Sequence, residues 1–370
     1  MGNVAPDRSA KGSVSRLPDG RGLYLILLAA LSCPSPAAEP KQPSPEQRAV
    51  AYLAKEVPAW SRENHCFSCH NNGDAARALF AATRLSFTIQ NGVLDDTIEW
   101  LARPRAWDGN RGEPGFSDKK LARIQFAAAL GAAFHTGLVG DKQALIEAAE
   151  MLLPDQAEDG SWPAGAGNPL GSPATYGPAL ATRMARRTLL HAQQLAGDDR
   201  FRGPLSRADE WLLKAPVKSV IGAAALILAH SDSSSFAGSK QAADEKRGAA
   251  IVTISAAQSS DGGWGPFKNS PPEPFDTALA LLSLAEFRGT QDTTNNQRTE
   301  NLIVQGRAFL IQTQLPSGGW PETTRPPGMT SYAQHMSTSG WATLALLGIT
   351  DYERPPLPHN VSADFIGRPE

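Results

Sequence analysis

The sequence has few cysteines, no excess of charge of either sign and no long apolar run. Its 370 residues include three cysteines, and 35 Lys and Arg against 37 Asp and Glu leave a formal net charge of −2. A charge this close to zero, without a basic stripe, gives no reason to expect a nucleic-acid partner. The apolar run at 22–31 has about ten residues, too few to span a bilayer. We therefore expect no integral membrane segment in the mature chain.

The N-terminus has the pattern of a secretory signal peptide. Basic residues precede the apolar run at 22–31, and small residues follow it at 35–38. We expect cleavage near Ala38, which would remove Cys33, and an extracytoplasmic location such as the periplasm. The expected parts of the chain are a signal peptide 1–38, a linker 39–45, a folded domain 46–352 and a C-terminal tail 353–370.

One short pattern occurs three times in the second half of the chain, at 156–162, 258–264 and 314–320. Each copy starts with Gln and ends with Gly, one further residue and Trp, and the third copy has Ser317 where the others have Asp. The glycine allows a left-handed residue that ends a helix, and the Trp covers the turn with a large apolar face. Because each copy lies between two Ala/Leu-rich stretches, the repeating unit is helix, turn, helix.

Extended along the chain at a spacing of about 50 residues, this unit gives six helix pairs. The second helix of each pair is apolar nearly all round, as in 221–229 and 275–284, and should lie in an inner ring. Six pairs close a ring, and the terminal helices lack the polar outer face of an open solenoid. The predicted fold is all-α, an (α/α)6 toroid.

The three segments resemble the QW repeats of the squalene–hopene cyclase and protein prenyltransferase superfamily, whose members fold as α/α toroids. The resemblance implies a protein that binds or transforms an isoprenoid or another apolar ligand. The Asp-rich D-x-D-D segment with which the cyclases protonate substrate is absent, and so is the cysteine of the prenyltransferase zinc site. The resemblance therefore points to the fold and leaves open whether a reaction is catalysed.

Cys66-Phe-Ser-Cys69-His70 is a CxxCH pattern, which is the attachment signal of a c-type haem. The two thiols would form thioethers and His70 would be the proximal iron ligand. The segment resembles the haem-binding segment of small c-type cytochromes, and export agrees with it because that haem is attached outside the cytoplasm. This predicts a toroid with one covalent haem c, a redox function and a redox partner protein. A Cys66–Cys69 disulfide and a metal site are the alternatives.

Ring closure would place the sixth loop beside the CxxCH loop. The sixth loop offers Met329, His335 and Met336. Methionine and histidine are the side chains that commonly serve as the second axial ligand of a cytochrome haem. We prefer His335 and Met336, because they stand at the start of an inner helix. Taken singly, each has a structural interpretation as core filler or as a hydrogen-bonded histidine.

Three carboxylates near the starts of inner helices, Asp74, Asp118 and Asp276, could form a glycosidase-like pair. Carboxylates at these positions more often cap the helix and stabilise its dipole. We therefore expect capping.

Overall fold

The computed structural model describes residues 42–110, 118–164, 170–231, 240–287, 293–323, 325 and 330–353. In these residues we distinguish α1 Pro45–Asn64, α2 Ala76–Arg84, α3 Asp95–Leu101, α4 Lys119–His135, α5 Lys142–Leu152, α6 Gly177–Ala196, α7 Arg202–Lys214, α8 Val220–Ser231, α9 Lys240–Ala257, α10 Pro274–Phe287, α11 Thr293–Thr313 and α12 Tyr332–Glu353. Shorter turns are π-helical at Cys69–Ala75 and 3-10 at Pro104–Gly109 and Leu153–Asp155. The described ranges contain no β-strand. They do contain an isolated antiparallel β-bridge between Gln258 and Trp264. None of the described helices is long and apolar enough to cross a membrane.

The helices alternate between an outer and an inner layer, as the sequence predicts. The even-numbered helices are the inner ones, and α8 and α10 are buried along most of their length. Outer helices carry exposed side chains, including apolar ones such as Val252 on α9 and Val304 on α11. A helix that is apolar on every side has to be surrounded by protein, which is why the inner ring could be assigned from composition.

The segments 156–162, 258–264 and 314–320, which we call the Gln–Trp turns, share one geometry. Their tryptophans, Trp162, Trp264 and Trp320, are 1%, 0% and 0% exposed. Each indole Nε1 donates to the carbonyl of the residue ten positions earlier, at 2.8, 2.8 and 2.7 Å. Each Trp backbone N–H donates to a hydroxyl on the following inner helix, from Thr182, Thr277 or Ser339. The predicted burial at equivalent positions is confirmed.

The glutamine of each turn fastens one helix pair to the next. Its Nε2 donates to the glycine carbonyl of its own turn and to a carbonyl of the next outer helix, namely Pro204, Leu302 and Pro45 at 2.9, 3.0 and 2.9 Å. Pro45 belongs to α1, so Gln314 ties the sixth pair to the first. The ring is closed, as predicted, and its closing contact repeats the geometry of the internal ones.

Glycine is required in these turns for two reasons. Gly318 has a φ of +99°, in the region that side chains avoid, and a Cβ there would overlap the Arg48 carbonyl oxygen of α1. Gly160 and Gly262 meet α7 and α11 in the same way. The turn therefore lies closer to the backbone of the next helix than a residue with a Cβ would allow.

Candidate functional site

The CxxCH segment is fixed at the place where the first and sixth helix pairs meet. The Ser68 side chain caps the π-helical turn that begins at Cys69, accepting from the backbone N–H groups of His70 and Asn71. The Phe67 ring stacks on Trp100 with the ring centroids 4.5 Å apart. Contacts with α12 hold the other side, since the Asn71 Nδ2 donates to the Tyr332 hydroxyl at 2.8 Å. The predicted neighbourhood of the two loops is confirmed.

Cys66 and Cys69 are both half-buried free thiols. The structure thus has both thiols free, without the Cys66–Cys69 disulfide considered from the sequence. Burial raises the pKa of the Cys69 thiol, so that this group stays protonated at neutral pH. The described residues contain no group of three or more His, Cys, Asp or Glu side chains able to hold a metal ion. The metal alternative therefore lacks the ligands that it needs.

His70 has one nitrogen bound and one without a hydrogen bond. Its Nδ1 lies 2.8 Å from the Ser337 Oγ, and that hydroxyl donates to the Asp74 Oδ2 at 2.8 Å. With Ser337 donating to Asp74, the Ser337 oxygen accepts from a protonated Nδ1, and the Gln125 Nε2 lies 3.4 Å from the same nitrogen. Burial lowers the pKa of His70, which keeps the ring neutral. Nε2 is left as a lone pair without a hydrogen bond to the described residues, and that lone pair is what a metal ligand needs.

Asp74 is the centre of a buried group that we call the inner polar cluster, made of His70, Asp74, Gln125, Tyr176 and Ser337. Asp74 is 0% exposed and accepts from the Tyr176 hydroxyl, from the Gln125 Nε2 at 2.7 Å and from Ser337. Tyr176 has a φ of +61°, a strained value that persists where the surroundings fix a side chain. Asp74 is therefore not the helix cap that the sequence predicts.

The other two carboxylates divide between capping and pairing. Asp118 caps α4 as expected, accepting from the backbone N–H groups of Lys120 and Leu121. Asp276 stands in the first turn of α10, as expected for a carboxylate that stabilises the helix dipole, and its fully buried carboxylate also pairs with Arg325. Burial raises the pKa of the neighbouring Glu273 to about 7, with Asp276 contributing to the rise.

His335 and Met336 directly precede Ser337, which contacts His70, but their own side chains contact a different residue. The His335 Nε2 lies 2.8 Å from the Tyr52 hydroxyl, and the same hydroxyl donates to the Met336 sulfur at 3.7 Å. To bind iron through these atoms, His335 or Met336 would have to give up its contact with the Tyr52 hydroxyl. Met329 lies outside the described residues.

The lumen of the ring holds a cavity of about 260 Å³, and all six inner helices contribute to its wall. Small or apolar side chains form most of that wall, among them Ala81, Ala127, Ala128, Leu228, Leu282 and Leu344. Arg84, Arg187 and Glu286 are exposed, which places the mouth at their end. Cys69 and His70 do not line this cavity.

The closed end of the cavity, which we call the floor, consists of Arg77, Arg183, Met184 and Trp341. These residues are 9%, 4%, 2% and 2% exposed. The Arg77 guanidinium lies 4.1 Å from the Trp341 ring centroid. Behind the floor, the Trp341 ring meets Tyr176 edge to face at 5.8 Å. The inner polar cluster therefore lies behind the floor, on the side of the CxxCH segment.

The floor was missed from the sequence, because arginine on a helix normally marks a solvent-exposed face. A signal was present, since Arg77 and Arg84, and likewise Arg183 and Arg187, are one or two turns apart on helices assigned to the inner ring. Charged residues are almost never fully buried unless they are paired.

Comparison with known proteins confirms the fold and leaves the activity open. No protein-family model matches the chain. Drimenyl diphosphate synthase from Streptomyces showdoensis is 34% identical over 71 residues, which is 19% of this chain and 12% of that protein. The match thus spans about an eighth of that curated relative.

Three solved structures share the architecture at low sequence identity. A mutant unsaturated glucuronyl hydrolase from Streptococcus agalactiae has a TM-score of 0.56 and 12% identity, over 84% of this chain and 92% of that one. A candidate member of the GH105 family from Klebsiella pneumoniae has a TM-score of 0.55 and 12% identity, over 91% of this chain and 100% of that one. A polysaccharide lyase has a TM-score of 0.54 and 14% identity, over 85% of this chain and 100% of that one. At this identity the likeness is one of fold. The α/α toroid predicted from the repeats is confirmed.

Proposed function

We propose that the toroid binds an isoprenoid or a similarly apolar small molecule in its central cavity. The observation that carries the proposal is the cavity of about 260 Å³ in the lumen, where alanine, leucine, methionine and tryptophan side chains from all six inner helices form the apolar part of the wall. Sites for small molecules are concave, largely apolar and few in any protein. The resemblance of the Gln–Trp turns and the local match to a drimenyl diphosphate synthase support this class of ligand.

The wall composition sets the expected strength of binding. Each CH₂ group that leaves water contributes roughly 0.8 kcal/mol, so a ten-carbon chain gains several kcal/mol before the loss of translational freedom. The inner helices present preformed walls, so ligand entry requires little ordering of the protein.

Calorimetric titration with geraniol, a ten-carbon isoprenoid alcohol, tests the proposal. Ala128 of α4 lines the cavity, and Ala128→Phe should fill it and weaken binding by about tenfold or more. Ala51→Phe is the matched control, because Ala51 is exposed on α1. Equal binding by the two variants, or no binding by the wild type, would contradict a lumenal site.

We also propose that the CxxCH segment attaches one haem c in an exported form of the protein. The observation that favours this second function is the state of His70, whose Nδ1 is held by Ser337 while Nε2 has no hydrogen-bond partner among the described residues. Cys66, Cys69 and His70 would hold the group, and the haem would supply one-electron chemistry with a redox partner protein. Ser337 and Asp74 would fix the orientation of the His70 ring.

The haem proposal is tested by expression in the periplasm with the haem-attachment machinery. A pyridine haemochrome spectrum should show one covalent haem, and the double variant Cys66→Ser, Cys69→Ser should lose it while keeping its helical circular dichroism. Single variants of Met329, His335 and Met336 then test the distal ligand, since the true one should convert a low-spin spectrum to high-spin. A wild type without covalent haem would refute the proposal and leave the lumenal site unaffected.

A further inference from the structure

We propose that His135 and His191, near the mouth of the cavity, form a binding site for one divalent transition-metal ion, copper(II) in preference to zinc. His135 is the last residue of α4, and His191 lies in the second half of α6, the next inner helix. Both side chains line the cavity. The inference goes beyond both proposed functions, because the pair needs neither the apolar ligand nor the haem in order to bind a metal ion.

The two imidazole rings lie close enough to share one ion. Their centroids are 4.5 Å apart, and the ring planes are tilted by 50°. A metal ion binds an imidazole nitrogen at about 2.0–2.1 Å, so the two nitrogens that it joins lie within about 4 Å of each other. Rings at this separation reach that distance by rotation of the side chains alone, without a change in the two helices.

The hydrogen bond of His135 fixes the form of the ring that a metal ion requires. The His135 Nδ1 lies 2.6 Å from the Gly131 carbonyl oxygen. Because a carbonyl oxygen can only accept, Nδ1 carries the proton and Nε2 presents a lone pair. Histidines that bind metals commonly donate their other ring N–H to a backbone carbonyl or a carboxylate, which sets the tautomer and the orientation of the ring. His135 therefore already has the supporting contact of a metal ligand.

The His191 ring faces the same residue of α4. Its Nδ1 lies 3.8 Å from the position that a Cβ on Gly131 would take. Both rings thus turn their Nδ1 edge towards Gly131, which leaves the Nε2 atoms on the side away from it. Because a metal bond uses one nitrogen of each ring, the other nitrogen of His191 can keep a hydrogen bond of its own.

The position near the mouth makes the pair accessible and sets its electrostatics. His135 is exposed and His191 is half-buried, so an ion can reach them from solvent. Arg84 and Arg187 line the same cavity and repel a cation, whereas Glu286 attracts one. These three side chains are exposed, so their charges act mainly through water and are screened by salt. They should lower the affinity for a divalent ion without preventing its coordination by two neutral imidazoles.

The ligand type selects the ion. Imidazole nitrogen suits copper, zinc, nickel and iron, whereas magnesium and calcium prefer oxygen ligands. Among divalent ions of the first transition row, copper(II) forms the most stable complexes with a given set of ligands, and zinc forms weaker ones. Two protein ligands are fewer than a structural metal site has, so water would fill the remaining coordination positions.

Titration with copper(II) sulfate, followed by electron paramagnetic resonance, tests the inference. The parent chain carries Cys33→Ser, Cys66→Ser and Cys69→Ser, so that no thiol competes for copper. The parent should show hyperfine structure from two nitrogen donors. His135→Ala and His191→Ala should each weaken copper binding by about tenfold or more. His65→Ala is the matched control, since His65 is exposed at the end of α1, and it should change the affinity by about twofold or less.

Two further measurements keep the result independent of folding defects and of the proposed functions. His135 is exposed, so His135→Ala should retain the circular dichroism and the Tm of the parent while it loses the second nitrogen donor. Zinc should displace copper only at higher concentration, and magnesium should not displace it. Equal copper affinity of the parent and the double variant His135→Ala, His191→Ala would overturn the site, as would a parent spectrum with a single nitrogen donor. None of these measurements involves geraniol or haem.

Discussion

The Gln–Trp turns and the cavity floor both bury polar side chains, but they treat those side chains differently. In the turns, the glutamine Nε2 and the Trp Nε1 each donate to backbone carbonyls at 2.7–3.0 Å, and the geometry repeats three times. At the floor, Arg77 meets a sulfur atom and an aromatic face. The polar groups of the turns bind backbone carbonyls, whereas the described contacts of the Arg77 guanidinium are a sulfur atom and an aromatic ring.

The turns hold the helix pairs together, whereas the floor belongs to the cavity that we propose as a ligand site. A satisfied polar group rigidifies a structure, and its removal costs stability. An unsatisfied buried charge costs stability while it is there, and persists where the rest of the structure can bear it. Substitutions in the two regions should therefore change the stability with opposite signs.

The largest loss of stability should come from the Gln–Trp turns themselves. Trp264→Ala should lower the free energy of unfolding by about 3–5 kcal/mol, because it opens a cavity and removes the indole hydrogen bond. Trp211→Ala is the control, since Trp211 is only half-buried on α7 and should cost less. Urea unfolding of the two variants measures the difference, and equal losses would mean that the turn has no special weight.

Gly318→Ala should break the close approach that shuts the ring. A left-handed residue with a Cβ costs about 1–2 kcal/mol, and the overlap with the Arg48 carbonyl should bring the loss to about 2–4 kcal/mol. Gly197→Ala isolates the backbone effect, because Gly197 has a φ of +71° with open space where the Cβ would be. If the two variants unfold at the same urea concentration, the Gln–Trp turn at 314–320 does not pack against α1 as closely as the structure shows.

Gln314→Ala compares the closing turn with an internal one. It leaves the carbonyls of Pro45 and Gly318 without this donor and should cost about 1–3 kcal/mol, and Gln156→Ala should cost the same. Hydrogen exchange of α1 amides would report local opening of the ring. A much smaller loss for Gln314→Ala would show that the junction of the first and sixth pairs is open for part of the time.

The smallest effect should be a pH dependence at the start of α10. The pKa of Glu273 is raised to about 7 in the folded chain, so the unfolded chain releases this proton first. The stability linked to Glu273 is therefore present below about pH 4.5 and is lost as the pH rises to about 7. Glu273→Gln should flatten the Tm over this range, and Glu245→Gln on the exposed side of α9 should not. A slope unchanged by Glu273→Gln would contradict the shift.

Local sequence patterns predicted the fold but not all of the buried side-chain contacts. The Gln–Trp turns, the six pairs, the inner ring and the junction of the CxxCH loop with α12 followed from local patterns, and the structure confirms them. The capping expected at Asp74 is wrong, because its carboxylate accepts from side chains of distant elements, whereas Asp276 lies in the first turn of α10 as expected and also pairs with Arg325. Haem attachment at Cys66, Cys69 and His70, and a distal ligand among Met329, His335 and Met336, stay predictions.

The sequence by itself determined the architecture, because helix period, turn glycines and buried tryptophans act over a few residues and repeat along the chain. Only the tertiary structure decided what the interior offers to a ligand. Arg77 and Met184 are 107 residues apart and belong to α2 and α6, so their contact exists only when the inner ring is assembled. Helical periodicity predicts which face of a helix turns inward. Which side chains contact that face depends on the helices across the ring, and these are distant in the sequence.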